Sequence, residues 1–343
     1  MGVAVGVDSH KLSFAVAVVD EIGRDVGVRQ FPNNPKGHRR ALEWITGYDL
    51  DVVGIEGSGN YGAGLARALI SAGITVKEVP AFLTARERNR RPSHGKSDPA
   101  DARAIARSTL RGEGLCEPMN DGPNADLKLL VDHRDQLIRA RQRVANRTHT
   151  HLARNFPGYE AKVSKLSTKK GIRAARAVVA TSDSVAAEVI SDNLTELEAF
   201  DTRVAAAEKR IELAVAATGT SLTAKKGIGA ITAAKILGED NDPRRLRSEA
   251  AFAMLNGSAP LPASSGNTTR HRLNRGGNRQ LNRALHIMAM TLKRCDANTQ
   301  AYIARRRAEG KTKREAMRAL KRHLSNVVYR CLMSDCVDLP RAA

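Results

Sequence analysis

Strand and helix patterns are unevenly distributed along this sequence, and their distribution limits the folds that the chain can adopt. Runs rich in β-branched residues lie within the first eighty residues, and helical patterns separate the later runs. The predicted strands are Val3–Val7, Ser13–Val19, Val26–Phe31, Asp51–Glu56 and Ile74–Val79, and the predicted helices are Pro35–Ile45 and Tyr61–Ala72. Three strands followed by strand–helix alternation predict a mixed sheet with helices on its faces, which is an α/β domain.

Beyond residue 98, helical patterns largely replace the strand patterns. Asp101–Leu110 and Leu127–Phe156 are predicted helices, and in Leu194–Ala217 apolar residues recur at intervals of three and four, as in a coiled coil. Residues 157–190 are predicted to form a helical arm folded back on itself, and a new helical domain begins at Leu222. We expect an α/β domain over residues 1–125, a helical coiled-coil arm over 126–218 and a mainly α domain over 219–343.

The net charge is strongly positive, and most of it lies outside the first predicted domain. Lysine and arginine number 56 against 36 aspartate and glutamate, which gives a net charge of +20. Residues 1–85 hold eight basic and nine acidic side chains, whereas residues 244–332 hold twenty basic and four acidic ones. This excess favours a polyanionic partner, either nucleic acid or an acidic membrane surface, although Arg-rich helices can also simply solvate a surface. We expect the basic segments to hold nucleic-acid phosphates.

The composition also bears on the class and location of the protein. Apolar residues make up 42% of the chain, which is enough for sizeable cores and excludes wholesale disorder. No apolar run approaches the roughly 18 residues of a membrane span, and no basic leader precedes an apolar block at the N-terminus. Four cysteines in so long a chain do not form a disulfide framework. We expect a reduced, cytoplasmic, nucleoid-associated protein with no membrane partner.

Two acidic residues close predicted strands. Asp8 ends the first strand, and alternation along that strand places it on the same face as Ala4 and Gly6, which leave room around it. Glu56 ends a later strand. Because the carboxyl ends of strands face the crevice where ligands bind in α/β sheets, we expect both carboxylates to lie in that crevice.

A second acidic pair, Asp98 and Asp101, opens a predicted helix. The two residues are three positions apart, so both side chains can point the same way. Four converging carboxylates repel one another unless divalent cations neutralise them, and Mg²⁺ prefers such oxygens. An ordinary capped helix start has the same appearance when it is considered alone. The order of the four acids within a basic protein is typical of ribonuclease-H-like nucleases.

A glycine-rich segment begins the last predicted domain. Lys226, Gly227 and Gly229 lie in a run that resembles a helix-hairpin-helix motif. Glycines let backbone amides approach a phosphate closely, and the N-terminus of the following helix favours negative charge. The alternative is a Gly-rich helix start without a binding role.

A loop-like block farther along combines serines with basic side chains. Ser264-Ser265-Gly266 is followed by the candidate nucleic-acid-binding residues Arg270, Arg272, Arg275, Asn278 and Arg279. A serine hydroxyl before a glycine is accessible to a backbone phosphate, and flanking arginines can stabilise the charge that develops if the hydroxyl attacks. Ser-Ser-Gly is also common in ordinary loops, so the block alone leaves both interpretations open.

These motifs occur together in an order that resembles a known family. The set comprises Asp8, Glu56, the Lys96–Ala102 run, the Gly-Ile-Gly hairpin and the Ser-Gly block followed by Gly-Asn-Arg, over about residues 3–332. The chain thereby resembles the DEDD-type insertion-sequence transposases, the bridge-RNA-guided serine recombinases to which the Piv-type DNA invertases are related. The resemblance implies a RuvC-like, RNase H-like N-terminal domain, a coiled-coil arm and a mainly α C-terminal transposase domain.

The resemblance also implies roles for individual residues and partners. Asp8, Glu56, Asp98 and Asp101 would bind Mg²⁺ in a catalytic site, and Ser265, which immediately precedes the glycine, would form a covalent phosphoserine link to DNA. A structured non-coding guide RNA would pair with donor and target DNA. The catalytic halves would meet across protomers of a homodimer or homotetramer.

Three functions follow from these features. The first is an RNA-guided DNA recombinase of an insertion sequence, which uses both the acids and Ser265. The second is a RuvC-like metal-dependent junction resolvase or nuclease, which needs the acids but no serine. The third is a non-catalytic protein that packages nucleic acid, in which the acidic layout is accidental.

Overall fold

The computed structural model describes residues 2–89, 97–116, 118, 124–240, 243, 246–263 and 271–336. The chain divides into two units, Met1–Gly122 and Pro123–Ala343. The described part of the first unit is an α/β domain, and that of the second is largely helical, which confirms both broad predictions. None of the helices in the described ranges combines the length and the apolarity that crossing a membrane requires.

A five-stranded mixed sheet forms the centre of the first unit. Its strands, in the order β3-β2-β1-β4-β5, are β1 (Val3–Ser9), β2 (Ser13–Val19), β3 (Asp25–Pro32), β4 (Leu50–Glu56) and β5 (Val76–Glu78). The pairs β1–β2 and β2–β3 are antiparallel, whereas β1–β4 and β4–β5 are parallel. β1 is therefore the central strand, and it is buried along nearly its whole length.

Helices cover both faces of this sheet. They are α1 (Pro35–Ile45), α2 (Ala63–Ser71), α3 (Ala81–Asn89) and α4 (Asp98–Arg111). Val3, Val5 and Val7 pack in one core with residues of α1 and α2. Ala4, on the opposite face, packs with Ala102 of α4. The predicted alternation along β1 is thus confirmed, and the face that carries Asp8 is the face that α4 covers.

Two glycines let α4 lie directly on the sheet. Gly6 and Gly54 are opposite each other on β1 and β4. A Cβ atom on Gly6 would lie 2.1 Å from the backbone nitrogen of Ala106, and one on Gly54 would lie 1.8 Å from Oγ1 of Thr109. Any larger side chain at either position would displace the helix, because these distances are far below van der Waals contact.

The second unit contains two very long helices and a group of shorter ones. The helices are α5 (Ala125–Asn155), α6 (Lys169–Val179), α7 (Val185–Ala217), α8 (Ala230–Asp240), α9 (Glu249–Leu255), α10 (Arg279–Cys295), α11 (Ala297–Ala308) and α12 (Lys313–Asp335). A two-stranded sheet of β6 (Leu261–Pro262) and β7 (His271–Arg272) was not predicted, because two residues are too few to form a pattern. α7 begins before the predicted Leu194 because Ser184 caps it, accepting a hydrogen bond from the Ala187 amide.

α5 and α7 run antiparallel. Ion pairs join them at three levels, Arg134 to Glu208 (2.6 Å), Arg141 to Asp201 (2.5 Å) and Arg147 to Glu196 (2.9 Å). The partner's number falls on α7 as the number rises on α5, which is the pattern of an antiparallel pair. The C-terminal half of α5, with the N-terminal half of α7, shares an apolar core with α6. The N-terminal part of α5, with the C-terminal part of α7, packs with α8, α10 and α12 in a separate core.

Candidate metal centre and nucleic-acid interface

The carboxyl ends of β1 and β4 bring Asp8 and Glu56 side by side. The parallel register pairs these two residues directly. Ser9 supports the arrangement, because its hydroxyl donates a hydrogen bond of 3.1 Å to the backbone oxygen of Glu56. Asp8 is only 8% exposed. The structure therefore places both strand-end carboxylates at one edge of the sheet.

The first turn of α4 places Asp98 and Asp101 near the carboxyl ends of β1 and β4. Ser97 caps the helix, with its hydroxyl accepting from the Ala100 amide at 3.4 Å, so the segment is also an ordinary capped start. Nε2 of His10 lies 3.2 Å from a carboxylate oxygen of Asp8 and 3.2 Å from one of Asp98. One ligand atom from each of these three residues lies within 4.8 Å of the others.

Glu56 and Asp101 lie outside this group of three but beside it, and α3 holds each of them. Thr84 donates a hydrogen bond of 2.5 Å from its hydroxyl to Glu56. Arg88 donates one of 2.6 Å from its guanidinium to Asp101. The structure thus brings Asp8 and Asp98 into one ligand cluster with His10, and places the other two predicted acids next to it with their own partners.

The electrostatics of Asp8 show that the four carboxylates act on one another. Burial raises the pKa of Asp8 above its ordinary value of 3.8; the nearby His10 lowers it, and repulsion from Asp101, Glu56 and Asp98 raises it further. Arg88 is the main positive side chain from α3 in this region. Its hydrogen bond and attraction to Asp101 raise its pKa, with weaker contributions from Glu56 and Asp8.

The donor set fits a divalent cation. Carboxylate oxygens are the ligands that hard cations such as Mg²⁺ and Mn²⁺ prefer, and an imidazole nitrogen is compatible with Mn²⁺. A cation would also relieve the mutual repulsion that acts on the buried carboxylate of Asp8. Asp8 and Asp98 are the residues placed to hold it directly.

Several residues of the site were not predicted from the sequence. His10 was not among the predicted ligands, although it follows Asp8 closely. Thr84 and Arg88 lie four residues apart on α3, so both face the acids from one side of that helix. Glu78 accepts hydrogen bonds from the amides of Gly57 (3.1 Å) and Ser58 (2.7 Å), which fixes the turn after Glu56. Only the presence of basic residues in the last turn of α3 is a signal in the sequence.

The glycine-rich segment of the second unit leads into α8. Lys226 is exposed and forms a 3.4 Å ion pair with Asp296. Gly227 has a φ of +89°, a left-handed conformation that favours glycine. A Cβ atom on Gly229 would meet no atom within 4 Å, so space is open beside it.

The predicted basic block is only partly described. Arg272, Arg275 and Arg279 are exposed. Asn278 has a structural role, because its side-chain oxygen caps α10 and its amide donates a 2.7 Å hydrogen bond to Glu239. Ser264, Ser265 and Arg270 lie outside the described residues.

Two family models match the chain, and together they cover more than half of it. The first, described as a transposase of the DEDD IS110 type, matches residues 5–157. The second, described as a transposase of the IS116/IS110/IS902 family, matches residues 220–304. The first match contains all four predicted acids, and the second contains the glycine-rich segment and the basic block.

Curated relatives extend these matches over nearly the whole chain. An uncharacterized 43.6 kDa protein of insertion element IS110 from Streptomyces coelicolor is 24% identical over 97% of this chain and 94% of its own length. An uncharacterized 44.8 kDa protein of insertion element IS116 from Streptomyces clavuligerus is 24% identical over 98% of this chain and 96% of its own. An uncharacterized 42 kDa protein of IS900 from Mycobacterium paratuberculosis is 26% identical over 80% of this chain and 81% of its own.

Among solved structures, RuvC from Thermus thermophilus is similar to part of the chain. The match covers 33% of this chain and 98% of RuvC, with 16% identity and a TM-score of 0.27. The same protein in complex with a Holliday junction substrate matches with 17% identity and a TM-score of 0.27, over 33% of this chain and 95% of that one.

The family match corrects the reaction predicted from the sequence. The matched DEDD type implies metal-dependent nuclease chemistry, in which carboxylates hold the cations that activate the attacking oxygen. A protein nucleophile is not needed for that chemistry, so the predicted covalent phosphoserine link at Ser265 is wrong. The metal-dependent alternative agrees better with both matches. The matched models and the insertion-element relatives together show that the chain is a transposase of the IS110/IS116 family.

Proposed function

We propose that the chain cuts DNA phosphodiesters at a RuvC-like, divalent-metal site formed by Asp8, Glu56, Asp98 and Asp101. One observation carries the proposal: ligand atoms of Asp8, His10 and Asp98 converge within 4.8 Å at the carboxyl end of the central strand. The parallel register that sets Glu56 beside Asp8 supports it. Mg²⁺ is the proposed cation, because carboxylate oxygens dominate the donor set.

The residues around the acids have separate proposed tasks. Asp8 and Asp98 would hold a divalent cation, which would supply activation of the attacking oxygen and stabilisation of the charge on the scissile phosphate. Thr84 orients the carboxylate of Glu56 through its hydroxyl, and Arg88 holds Asp101 through its guanidinium. His10 lies between the carboxylates of Asp8 and Asp98, so it must turn away or become a ligand when a cation enters.

The second unit is proposed to hold the nucleic acid, and we propose its division into an arm over residues 126–218 and a domain over 219–343. Separate apolar cores support the division, one around α6 and one around α8, α10 and α12. The antiparallel α5–α7 pair would form the coiled-coil part of the arm. The proposed nucleic-acid contacts, including a helix-hairpin-helix motif at the start of α8, are Lys226, Gly227, Gly229, Arg270, Arg272, Arg275, Asn278 and Arg279.

A structured guide RNA and a homodimer or homotetramer are further proposals. The excess of basic residues in the helical part of the sequence supports an RNA partner, because proteins hold structured RNA largely through its phosphates and shape. Mixing differently tagged copies with and without RNA, followed by light scattering, tests both proposals together.

Cleavage by matched variants tests the proposed reaction. Full-length protein is incubated with labelled duplexes that carry the ends of its insertion element, with Mg²⁺ or Mn²⁺ and the RNA encoded beside its gene. We expect Asp8→Asn and Asp98→Asn to reduce the cleavage rate by ~100-fold or more, because each removes a ligand oxygen. Glu43→Gln makes the same chemical change at an exposed site on α1 and leaves the rate unchanged.

The same assay separates the proposal from its competitors. Cleavage that survives both Asp8→Asn and Asp98→Asn contradicts it. Absence of cleavage at every Mg²⁺ and Mn²⁺ concentration favours a non-catalytic packaging protein. Thr84→Val, a positioning variant, is expected to lower the rate by about 10- to 100-fold and to raise the cation concentration needed for half-maximal cleavage.

A further inference from the structure

A cavity of about 480 Å³ lies in the second unit, between α12 and the segments that precede it. This volume is within the usual range of about 300–1,000 Å³ for ligand pockets. Its lining carries several positive side chains, among them Arg272 of β7, Lys311 before α12, and Arg318, Lys321 and Arg322 of α12. The cavity therefore has the charge of an anion site.

The two acidic side chains that line the cavity are already engaged. Glu309 accepts a hydrogen bond of 2.8 Å from Arg306. Glu315 accepts one of 2.9 Å from the backbone amide of Thr312, as part of the cap of α12. The two carboxylates neutralise part of the positive charge of the cavity. Among the described residues, neither of them forms an ion pair with Lys321, whose ammonium group donates to Asn282 instead.

Lys321 is a buried cation held by a neutral partner. Its residue exposure is 8%, and its ammonium group donates a 2.7 Å hydrogen bond to the side-chain oxygen of Asn282. No carboxylate pairs with it among the residues that the structure describes. Burial lowers its pKa, and repulsion from Arg318 lowers it further. A buried ammonium without a counter-charge is unfavourable, and an anion in the cavity would supply that charge.

A network of uncharged groups fixes the direction of Lys321. Asn282 donates a 2.8 Å hydrogen bond to the backbone oxygen of Asn256, and Asn256 donates one of 2.8 Å to the hydroxyl of Ser325. Asn256 and Ser325 are fully buried. The lysine is therefore held by α10 and by the segment after α9, which restricts the geometry of any ligand.

Ser258 has a side-chain hydroxyl without a hydrogen-bond partner among the described residues. It lines the cavity, and its buried hydroxyl makes no hydrogen bond to any described residue. A buried hydroxyl in this state costs free energy that a hydrogen-bonding ligand would recover. A free donor and a buried cation at one cavity together favour a ligand that is both anionic and rich in acceptor oxygens.

We propose that this cavity binds a backbone phosphate of a nucleic-acid strand, with Lys321 and Ser258 donating to its oxygens. Arg272 and Arg322 supply the surrounding positive charge. A phosphate combines the two properties that the cavity requires, since it is charged and has several acceptors. The site is formed entirely by the second unit and uses none of the acids that would hold a metal.

Binding without metal tests this proposal independently of cleavage. The full-length protein is titrated into a short fluorescein-labelled single-stranded DNA in EDTA, and anisotropy is measured at several salt concentrations. We expect Lys321→Met to weaken binding roughly tenfold and to reduce the slope of log affinity against log salt by about one. Lys313→Met removes an exposed charge from the same helix outside the cavity and is expected to change affinity less than about twofold.

Inorganic phosphate distinguishes the two sources of the anion. If phosphate competition weakens in Lys321→Met while DNA affinity is unchanged, the cavity takes a free anion, and the proposal is overturned. Unchanged affinity for both probes overturns it as well. Lys321→Arg keeps the charge, and we expect it to retain DNA binding within about threefold, which shows that loss in Lys321→Met is not a folding defect. Loss of binding in Lys321→Arg together with a lower melting temperature would assign Lys321 to the fold instead.

Discussion

At the scale of single residues, the acidic site contains an unfavourable charge in the absence of a cation. Asp8 is buried, and three other carboxylates act on it, so its pKa lies above the ordinary value. A carboxyl group whose pKa is raised by folding stabilises the folded state most when it is protonated. That stabilisation is lost as the pH rises from 3.8 through the raised pKa. At neutral pH, ionised Asp8 therefore lowers the free energy of unfolding of the metal-free protein.

Asp8→Asn is expected to raise the free energy of unfolding of the metal-free protein by about 1 kcal/mol at neutral pH, because it removes a repelled charge. In the wild type, a divalent cation at 100 times its Kd adds about 2.7 kcal/mol, and Asp8→Asn loses most of that gain. Thermal melts with and without Mg²⁺ or Mn²⁺ measure both effects. A variant that is less stable without metal and still responds fully to it contradicts this account.

The sequence alone pointed to the four acids because each lies at a recognisable position, at a strand end or in the first turn of a capped helix, and their role as metal ligands stays a prediction. Their supporting residues were not predictable in the same way. Thr84 and Arg88 belong to a helix with no strong apolar pattern, and their role depends on how that helix lies against Glu56 and Asp101. Contacts between distant segments leave no local pattern in a single sequence.

At the scale of secondary-structure elements, close approach of α4 to the sheet decides where Asp98 lies. Gly6 and Gly54 are the two sheet residues against which α4 packs directly. Gly6→Ala is expected to destabilise the protein by about 1–3 kcal/mol and to lower the cleavage rate, since the helix must move away from Asp8. Gly47→Ala is the control, because its Cβ would meet only the backbone oxygen of Trp44 at 3.4 Å. Denaturant unfolding measures both variants, and equal midpoints would contradict the prediction.

A buried ion pair joins α5 to α8. Lys235, 7% exposed, donates a 2.6 Å hydrogen bond to Asp135, 8% exposed. Burial acts to raise the pKa of Asp135, but the hydrogen bond and charge of Lys235, with help from Arg134, hold it below its ordinary value. The stabilisation from this carboxylate is therefore present above pH 3.8 and is lost as the pH falls through the lowered pKa.

Asp135→Asn is expected to lower the free energy of unfolding by about 3 kcal/mol at neutral pH, because it removes the counter-charge of buried Lys235 and leaves it neutral amide acceptors such as Gln280. The loss should shrink as the pH falls into the range where Asp135 of the wild type is protonated. Glu198→Gln removes the partner of Arg176 in an exposed pair and should cost less than about 1 kcal/mol. Similar losses in the two variants would show that the Asp135 pair has no special role.

Comparison of predicted and observed element boundaries shows which elements a local sequence pattern can predict. The long helices were predicted because their apolar spacing persists over many turns. The start of α7 was predicted too late, although Ala187 and Ile190 continue the spacing of three and four ahead of Leu194, and the cap at Ser184 marks the true boundary. β6 and β7 escaped prediction because they depend on pairing between segments rather than on their own composition.

At the scale of the whole molecule, the net charge determines how strongly the affinity for nucleic acid depends on salt concentration. With a charge of +20, binding should release many counterions, so affinity should fall steeply with salt. If six to ten phosphates are contacted, we expect a loss of about 10³- to 10⁵-fold between roughly 50 and 200 mM salt. Anisotropy titrations measure this slope, and a weak dependence would indicate contacts that are mainly apolar or base-specific. The sign of this charge was predictable from composition, whereas its arrangement around a cavity required the fold.

The packing of α4 against Gly6 and Gly54 also has a consequence for protein synthesis. Asp8, Glu56 and Asp98 come together only after β1, β4 and α4 have all packed, and these segments are well separated in sequence. A nascent chain that has not yet released α4 from the ribosome carries Asp8 and Glu56 without the helix that completes the site. On the proposed function, the complete metal site would therefore form late in translation, and an incomplete polypeptide would lack the helix that carries Asp98.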